Sequence, residues 1–303
     1  MKRCGKRPWL CFVISTLSTL RDKGRDFIKR CRDETISVWA GKLARWGIKV
    51  LLAVFVLLGL SYMLNTPLFE SADESSHLQV IDYMRRTRSL PPPVITGRRA
   101  ETGADMAWSL RYHDPPLYYA PPLYHALGAL LTGWISMDDL QSRLIPSPAW
   151  EAGYAPGLGS DLTWNQNIYV HLPDETFRES PTVRVAMVLR LVSLLLGSVI
   201  VWCAYEIARE FARKIANVMR IDNLPYFSDL LALGAAAWVA LNPQFINISS
   251  GVTNDPLLNA IFSLALLGML RCMHRANAPG ASWGRWAGLG ALVGLGMLTK
   301  QSA

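Results

Sequence analysis

The feature that most constrains this chain is a nearly uncharged apolar run from Ile48 to Leu64, which follows a strongly basic segment. At 1.5 Å per helical residue the run spans about 26 Å, close to the thickness of a bilayer's hydrocarbon core. The residues before Trp46 include twelve Lys or Arg and four Asp or Glu. Because basic segments stay on the cytoplasmic side, the run predicts a membrane span with Asn65 at its outer end.

The composition favours the same class of protein. Hydrophobic residues make up 51% of the 303-residue chain, and eleven residues are Trp, which is more than a soluble domain needs. The net charge of +8 is concentrated in the first 46 residues and in short loops between apolar runs. Membrane topology explains this distribution better than nucleic-acid binding does. We therefore expect a multi-pass protein of the cell (plasma or inner) membrane, with a cytoplasmic N-terminus and no nucleic-acid partner.

The pattern divides the chain into two regions. Residues 1–46 are predicted to form a basic cytoplasmic segment. Its short apolar run, Trp9 to Leu20, favours an interfacial helix over a cleaved signal peptide, because no small-residue cleavage site follows. Residues 47–303 are predicted to form the membrane domain. Since no hydrophilic cap follows the last apolar run, we expect the chain to be the N-terminal piece of a longer protein.

Four more apolar runs predict an all-α polytopic membrane protein with about five transmembrane helices. The runs are Val183 to Tyr205, Phe227 to Ile248, Leu257 to Met273 and Trp286 to Leu298. Charged residues cluster in the turns that this alternation places in the cytoplasm. The five cysteines show no metal-type spacing, and we expect no disulfides.

The long segment 65–182 is predicted to stay outside as an ordered surface module that carries interfacial helices. Its most apolar piece, Leu123 to Ile135, has a length that suits an in-plane or re-entrant helix. Between Ser136 and Thr182 there are seven acidic and two basic residues, which favours the outer side. Stretches rich in Pro, Tyr and Trp at 91–93, 113–125 and 164–169 indicate interfacial contacts rather than a flexible linker.

The first residues of this module form the candidate site. Ser71 followed three residues later by Glu74 is a capping-box pattern, which predicts a helix from Ala72 to about Arg88. Asp73 and His77, four residues apart, would then share one face of the helix. The acids would lie at the positive end of the helix dipole, where a charged carboxylate could act as a base or a metal ligand. Alternatively, Glu74 only caps the helix, Asp73 only suits the dipole and His77 is interfacial.

Three other ionisable residues are placed at the same membrane face by the predicted topology. Arg190 could neutralise a phosphate or extend to the lipid headgroups. Asp255 precedes Pro256, where an acidic N-cap followed by Pro is also ordinary helix-start chemistry. Lys300 could contact a phosphate or simply lie at the interface. Acids and cations together suit a lipid-linked phosphate ester, because cations hold the leaving phosphate while a carboxylate deprotonates the incoming hydroxyl.

Short stretches between Ile48 and the end of the chain share their order and topology with a known superfamily. They are Pro67 to Phe69 with Asp73, Glu74 and His77; Asp114 to Tyr119; Asn167 to His171; Arg190 to Ser193; Asn242 to Phe245 with Asn254 and Asp255; and Gly294 to Lys300. In these residues the chain resembles the C-type membrane glycosyltransferases that use polyprenyl-phosphate sugars. That superfamily includes protein O-mannosyltransferases and lipid A aminoarabinose transferases.

The resemblance implies a transferase that moves a sugar from a polyprenyl-phosphate carrier to an acceptor hydroxyl or amine, with inversion at the sugar carbon. It implies Asp73 and Glu74 as the catalytic acidic pair, with Asp73 as the general base. His77, Arg190, Asp255 and Lys300 are then expected to bind substrate, with Lys300 as a phosphate contact. The expected partners are the lipid-linked sugar donor, a lipid, glycan or protein acceptor, and membrane lipids.

Two points stay open at the level of sequence. The pattern requires no cofactor, but the acids could hold a divalent metal, although no ligand set with metal-specific spacing is visible. The alternative functions are a transporter or flippase of lipid-linked sugars, and an inactive or truncated scaffold with the same fold.

Overall fold

The computed structural model describes residues 34–90, 120–147, 167–219, 227–274 and 283–300. The basic segment before residue 34 and the predicted features at 91–93, 113–119 and 164 lie outside these described residues. Nine helices are present in the described ranges, which confirms the predicted all-α class. They are α1 (Glu34–Asn65), α2 (Glu74–Thr87), α3 (Leu123–Thr132), α4 (Leu140–Arg143), α5 (Pro181–Met219), α6 (Phe227–Ala240), α7 (Pro243–Ser249), α8 (Asp255–His274) and α9 (Trp283–Met297).

Three of the described helices are long and apolar enough to cross a membrane. Their apolar parts are Trp46–Asn65 in α1, Pro181–Ile215 in α5 and Asp255–Met273 in α8. α6 and α7 are bent by 66° at the break between them, and they make a fourth span only if the bent pair crosses as one unit. By length and composition, these helices indicate a protein embedded in a membrane.

The predicted count of five spans is not confirmed within the described ranges. The third predicted span, Phe227 to Ile248, is broken because Pro243 disfavours a helical backbone at Asn242, whose side chain instead accepts the amides of Gln244 and Phe245. The fifth corresponds to α9, which has 15 residues and is about 22 Å long, less than the hydrocarbon core requires.

α5 is the central helix, and α1, α6 and α8 all pack against it. At one end of this bundle, Arg271 of α8 donates to Glu206 of α5 at 2.9 Å. At the opposite end, the backbone amide of Leu123 at the start of α3 donates to the carbonyl of Leu298, just after α9, at 3.0 Å. We call this opposite end the α2 end. It holds α2, α3, the C-terminus of α1 and the start of α5 and α8.

The described parts of segment 65–182 pack around a common hydrophobic core with the first turns of α5. Buried residues of this core come from α2, α3, α4 and the stretch near Tyr169. Asp139 ties the module to α5, because it accepts hydrogen bonds from the amide and hydroxyl of Thr182 at 3.1 and 2.6 Å. A bidentate pair joins Arg143 to Asp174, at 2.6 and 2.8 Å. These ties position the α2 end relative to the bundle.

Substitution of Gly197 by a larger residue tests how closely the helices of this bundle pack. A Cβ atom at Gly197 would lie 2.8 Å from the Ser249 Cβ and 2.9 Å from the Phe55 Cζ, where α1, α5 and α7 converge. We expect Gly197→Ala to lower the free energy of unfolding by about 1–3 kcal/mol, the usual cost of overpacking, less the gain in helix propensity. The measurement is thermal unfolding of the purified protein in detergent.

Gly290 of α9 provides the matched control. A Cβ there has open space among the described residues, so Gly290→Ala should be neutral or stabilising by up to about 1 kcal/mol. Equal melting temperatures for the two variants would contradict the close approach at Gly197.

Candidate functional site

A buried ion pair between Arg190 of α5 and Glu74 of α2 lies at the centre of the α2 end. The Arg190 Nε and Nη2 atoms are 2.8 and 2.6 Å from the two carboxylate oxygens of Glu74. The side chains are 1% and 0% exposed. This is the bidentate, charge-assisted geometry in which an Arg–carboxylate pair is strongest.

The remaining Arg190 donors hold the turn that follows α1. Nη1 donates to the carbonyls of Met63 and Thr66 at 3.0 and 2.7 Å, and Nη2 donates to the carbonyl of Pro67 at 2.8 Å. A guanidinium has five N–H groups. Together with the two contacts to Glu74, all five have acceptors within the protein.

This geometry differs from both sequence expectations for Arg190. Its guanidinium is enclosed rather than extended to the headgroups, and its donors are engaged by the protein rather than directed at a phosphate. The Glu74 carboxylate is engaged as well, because it also accepts the amide of Phe69 at 2.8 Å. The structure therefore gives Arg190 and Glu74 a positioning arrangement, while their substrate-binding and catalytic roles stay predictions.

The predicted capping box at Ser71 is wrong. α2 begins at Glu74 rather than Ala72, and the N-cap residue is Asp73, whose side chain makes no capping hydrogen bond within the described ranges. The physical reason is the distant partner: the Glu74 carboxylate is held by Arg190 and does not reach back to the Ser71 amide. The predicted end of the helix near Arg88 agrees with the observed last residue, Thr87, to within one position.

Asp73 is exposed and adopts a left-handed backbone, with φ 58° and ψ 9°. Asp and Asn tolerate this conformation better than other non-glycine residues do, but it is still uncommon. His77 is buried, at 1% exposure, so Asp73 and His77 do not share a helical face as predicted. The left-handed turn at Asp73 places that residue outside the helical register, with its side chain on the surface.

Asp255 and Lys300, which the sequence predicts at the same membrane face, are in contact. The Lys300 Nζ is 2.6 Å from the Asp255 Oδ1, and the two side chains are 41% and 32% exposed. The adjacent Asn254 amide group donates to the carbonyl of Thr299 at 3.3 Å, which joins the start of α8 to the end of α9. A half-exposed pair of this kind contributes little to stability, about 0–1 kcal/mol. It leaves a lysine accessible to an anionic group.

The loop before Asp73 touches the loop before Asp255. A Cβ atom at Gly251 would lie 2.5 Å from the Ser71 Oγ, so the two backbones approach closely. Val252, beside Gly251, belongs to the same buried core as Phe69. The structure thus brings the predicted residues from four separate chain segments to the α2 end.

His77 forms a buried pair with His125 of α3, a residue that the sequence reasoning did not single out. The His77 Nδ1 and the His125 Nε2 are 3.0 Å apart, and Tyr124 meets both rings edge-on. Burial lowers the pKa of His77 well below its ordinary value, helped by His125 and by the charge of Lys300. Burial also lowers the pKa of His125 to about 4. The sequence feature that could have indicated this pair is His125 itself, a polar residue inside the apolar run that begins at Leu123.

Glu70, His171 and Glu175 form a second cluster that sequence reasoning missed. His171 lies between the carboxylates of Glu70 and Glu175, at 3.0 and 2.8 Å. Glu70 also accepts the amides of Ile168 and Tyr169. Among the residues that the structure describes, no group of three or more His, Cys, Asp or Glu is arranged to hold a metal ion. The divalent-metal alternative stays a prediction.

Comparisons with family models, curated proteins and solved structures find no match to this chain. The resemblance to the C-type glycosyltransferases therefore rests on the residues named above and stays a prediction.

The Arg190–Glu74 pair gives a testable energetic prediction. We expect Arg190→Met to lower the free energy of unfolding by about 3–5 kcal/mol, because it leaves the Glu74 carboxylate buried without its cation. The double variant Arg190→Met with Glu74→Leu should be less destabilised than Arg190→Met alone, because it removes both buried charges. Thermal unfolding of the wild type, Arg190→Met and the double variant in one detergent measures these differences in stability.

Arg209→Met is the matched control for that experiment. Arg209 is 26% exposed and shares its partner, Glu206, with Arg271, so its loss should cost no more than about 1 kcal/mol. A double variant at least as unstable as Arg190→Met alone would contradict the buried-charge argument.

The histidine pair predicts a dependence of stability on pH. The folded protein keeps His77 and His125 neutral, whereas the unfolded chain protonates them near the ordinary pKa of about 6.5. Below that pH the unfolded state binds more protons, so the free energy of unfolding should fall as pH drops from about 6.5 towards 4. Melting temperatures measured across this pH range show how steeply the stability depends on pH.

His125→Gln is the variant that isolates this effect, because its amide can meet His77 but does not titrate. We expect a shallower pH dependence, with only His77 left to contribute. A slope that is unchanged in His125→Gln would show that other groups control the acid response.

Proposed function

We propose that the protein is a membrane glycosyltransferase that moves a sugar from a polyprenyl-phosphate carrier to an acceptor hydroxyl or amine. The observation that carries the proposal is an exposed carboxylate, Asp73, held in an uncommon backbone conformation at the same end of the bundle as the Asp255–Lys300 pair. In this proposal the α2 end faces the extracytoplasmic side, as the basic N-terminal segment predicts.

Asp73 acts as the general base. Its carboxylate takes the proton of the acceptor, whose oxygen or nitrogen then bonds to the anomeric carbon of the donor sugar. The bond between that carbon and the phosphate oxygen breaks, and the electron pair leaves with the lipid phosphate. Attack from the face opposite the phosphate inverts the anomeric centre. Asp73 afterwards releases its proton to water.

Lys300 stabilises the leaving phosphate. Its ammonium is half exposed and contacts one carboxylate oxygen of Asp255, at 2.6 Å. A phosphate at this point gains a cation as its negative charge develops, which is the main electrostatic requirement of the transfer step. Asp255 orients the lysine before the donor binds.

Arg190 and Glu74 support the reaction by holding Asp73 in place. Strained backbone conformations persist only where the surrounding contacts determine them. Here the residue that follows Asp73 is anchored by two hydrogen bonds from Arg190. The turn that precedes Asp73 is anchored by the remaining Arg190 donors.

A transporter or flippase of lipid-linked sugars fits this chain less well. Moving a phosphate headgroup across a bilayer needs polar groups along the interior of the spans. Residues 191–205 of the central helix carry no charged side chain, and Arg190 and Glu206 lie on either side of this stretch. The charged groups therefore favour chemistry at one face over passage through the bundle.

Asp73→Asn tests the transferase directly. The full chain in liposomes is incubated with a panel of polyprenyl-phosphate sugars, and donor consumption and product are followed. We expect Asp73→Asn to reduce transfer by about 10²–10⁴-fold, the usual contribution of a general base. Its melting temperature should be unchanged, because Asn also tolerates the left-handed backbone.

Glu179→Gln is the control, since it removes an exposed carboxylate from the same module and should leave transfer unchanged. Full transfer by Asp73→Asn would refute the general-base assignment. Movement of lipid-linked sugar across the vesicle without product would favour the flippase instead, and an inert wild-type chain would favour the scaffold.

A further inference from the structure

A cavity of about 390 Å³ lies between the end of α1, the start of α5 and the stretch 167–175. It shares the turn after α1 with the candidate site, but Asp73, Asp255 and Lys300 do not line it. Its polar wall includes Asn65, His171, Glu175 and Arg190, and its apolar wall includes Leu64 and Met187. A cavity with both kinds of wall suits an amphiphilic ligand.

The polar wall has an excess of negative charge. His171 is the single imidazole between Glu70 and Glu175, whose side chains are 12% and 9% exposed. Two carboxylates therefore share a single imidazole in this cluster. Arg190 does not offset this excess, because Glu74 neutralises the guanidinium and all five of its N–H groups have protein acceptors. The excess of carboxylates therefore favours a cation beside Glu175.

The wall also offers hydrogen-bond acceptors. His171 contacts one carboxylate oxygen of Glu175, Oε2, which leaves Oε1 for a ligand. The carbonyl of Thr66 accepts one hydrogen bond from Arg190, and a carbonyl oxygen has a second lone pair. A ligand group that carries positive charge and donates several hydrogen bonds is complementary to this wall. A primary ammonium has both properties.

The apolar wall continues along the central helix. Met187, Leu191 and Leu195 follow one another at a spacing of four residues and so lie on one face of α5. Leu191 and Leu195 are 43% and 57% exposed, and Leu64 on the neighbouring α1 is 68% exposed. Both helices are long and apolar enough to cross a membrane. This exposed face accommodates an acyl chain that begins at the cavity.

We propose that this cavity binds the primary ammonium headgroup of a membrane lipid, with an acyl chain along Met187, Leu191 and Leu195. The ammonium pairs with Glu175 and donates to the carbonyl of Thr66 in the turn after α1. The site is independent of the proposed transferase, because it needs none of the residues that act on the sugar donor.

The experiment compares two lipids that differ only in the headgroup amine. The full chain is purified from nanodiscs containing equal amounts of dioleoyl phosphatidylethanolamine and dioleoyl phosphatidylcholine, and retained lipid is counted by native mass spectrometry. The first headgroup donates N–H hydrogen bonds, whereas the trimethylated second headgroup has none to donate. We expect at least tenfold preferential retention of the ethanolamine lipid by the wild-type chain.

Two variants and one control make the result specific. Glu175→Gln should abolish the preference, and Met187→Trp should lower retention of the ethanolamine lipid by filling the cavity. Glu179→Gln, outside the cavity, should keep the preference. Equal retention of the two lipids by the wild type, or a preference that survives both Glu175→Gln and Met187→Trp, would overturn the site. Stronger retention of a neutral glycolipid added as a third arm would overturn the ammonium assignment.

Discussion

One buried guanidinium determines the arrangement of the α2 end. Arg190 is 1% exposed, and taking such a charge out of water is costly unless every donor finds an acceptor and the charge finds a counter-ion. The fold meets both conditions, because Glu74 is the counter-ion and three carbonyls come from the last turn of α1 and the turn after it. The last turn of α1, the start of α2 and one wall of the cavity beside Met187 therefore depend on a single side chain of α5.

The candidate site is assembled from segments that are far apart in the sequence. Asp73 follows α1, Asp255 begins α8, and Lys300 follows α9. Short-range contacts join these segments. Gly251 closely approaches Ser71, the Leu123 amide donates to the Leu298 carbonyl, and the Asn254 side chain donates to the Thr299 carbonyl. A substitution in any of these connections changes the site without touching a charged residue.

The sequence predicts this fold well where the signal is local. The apolar lengths of α1, α5 and α8 are properties of single segments, and each was identified as a span. The bend at Asn242–Pro243 was also local, since Pro restricts the preceding residue, but the surrounding apolar residues obscured it. The start of α2 was mispredicted for a different reason. Glu74 has a distant partner that a capping pattern does not reveal. The left-handed backbone of Asp73 and the buried His77–His125 pair produce no periodic pattern in the sequence.

The separation between Glu74 and Arg190 has a consequence for how the protein is made. The two residues are 116 positions apart, so at a synthesis rate of about 5–20 residues per second Arg190 is added about 6–23 s after Glu74. During that interval α1 can already be inserted, while the turn after it has no guanidinium to organise it and Glu74 stays hydrated. Entry of α5 delivers the counter-ion and closes the turn in one step. The nascent chain therefore carries Glu74 without its partner for this interval, and the addition of the central helix completes the buried pair.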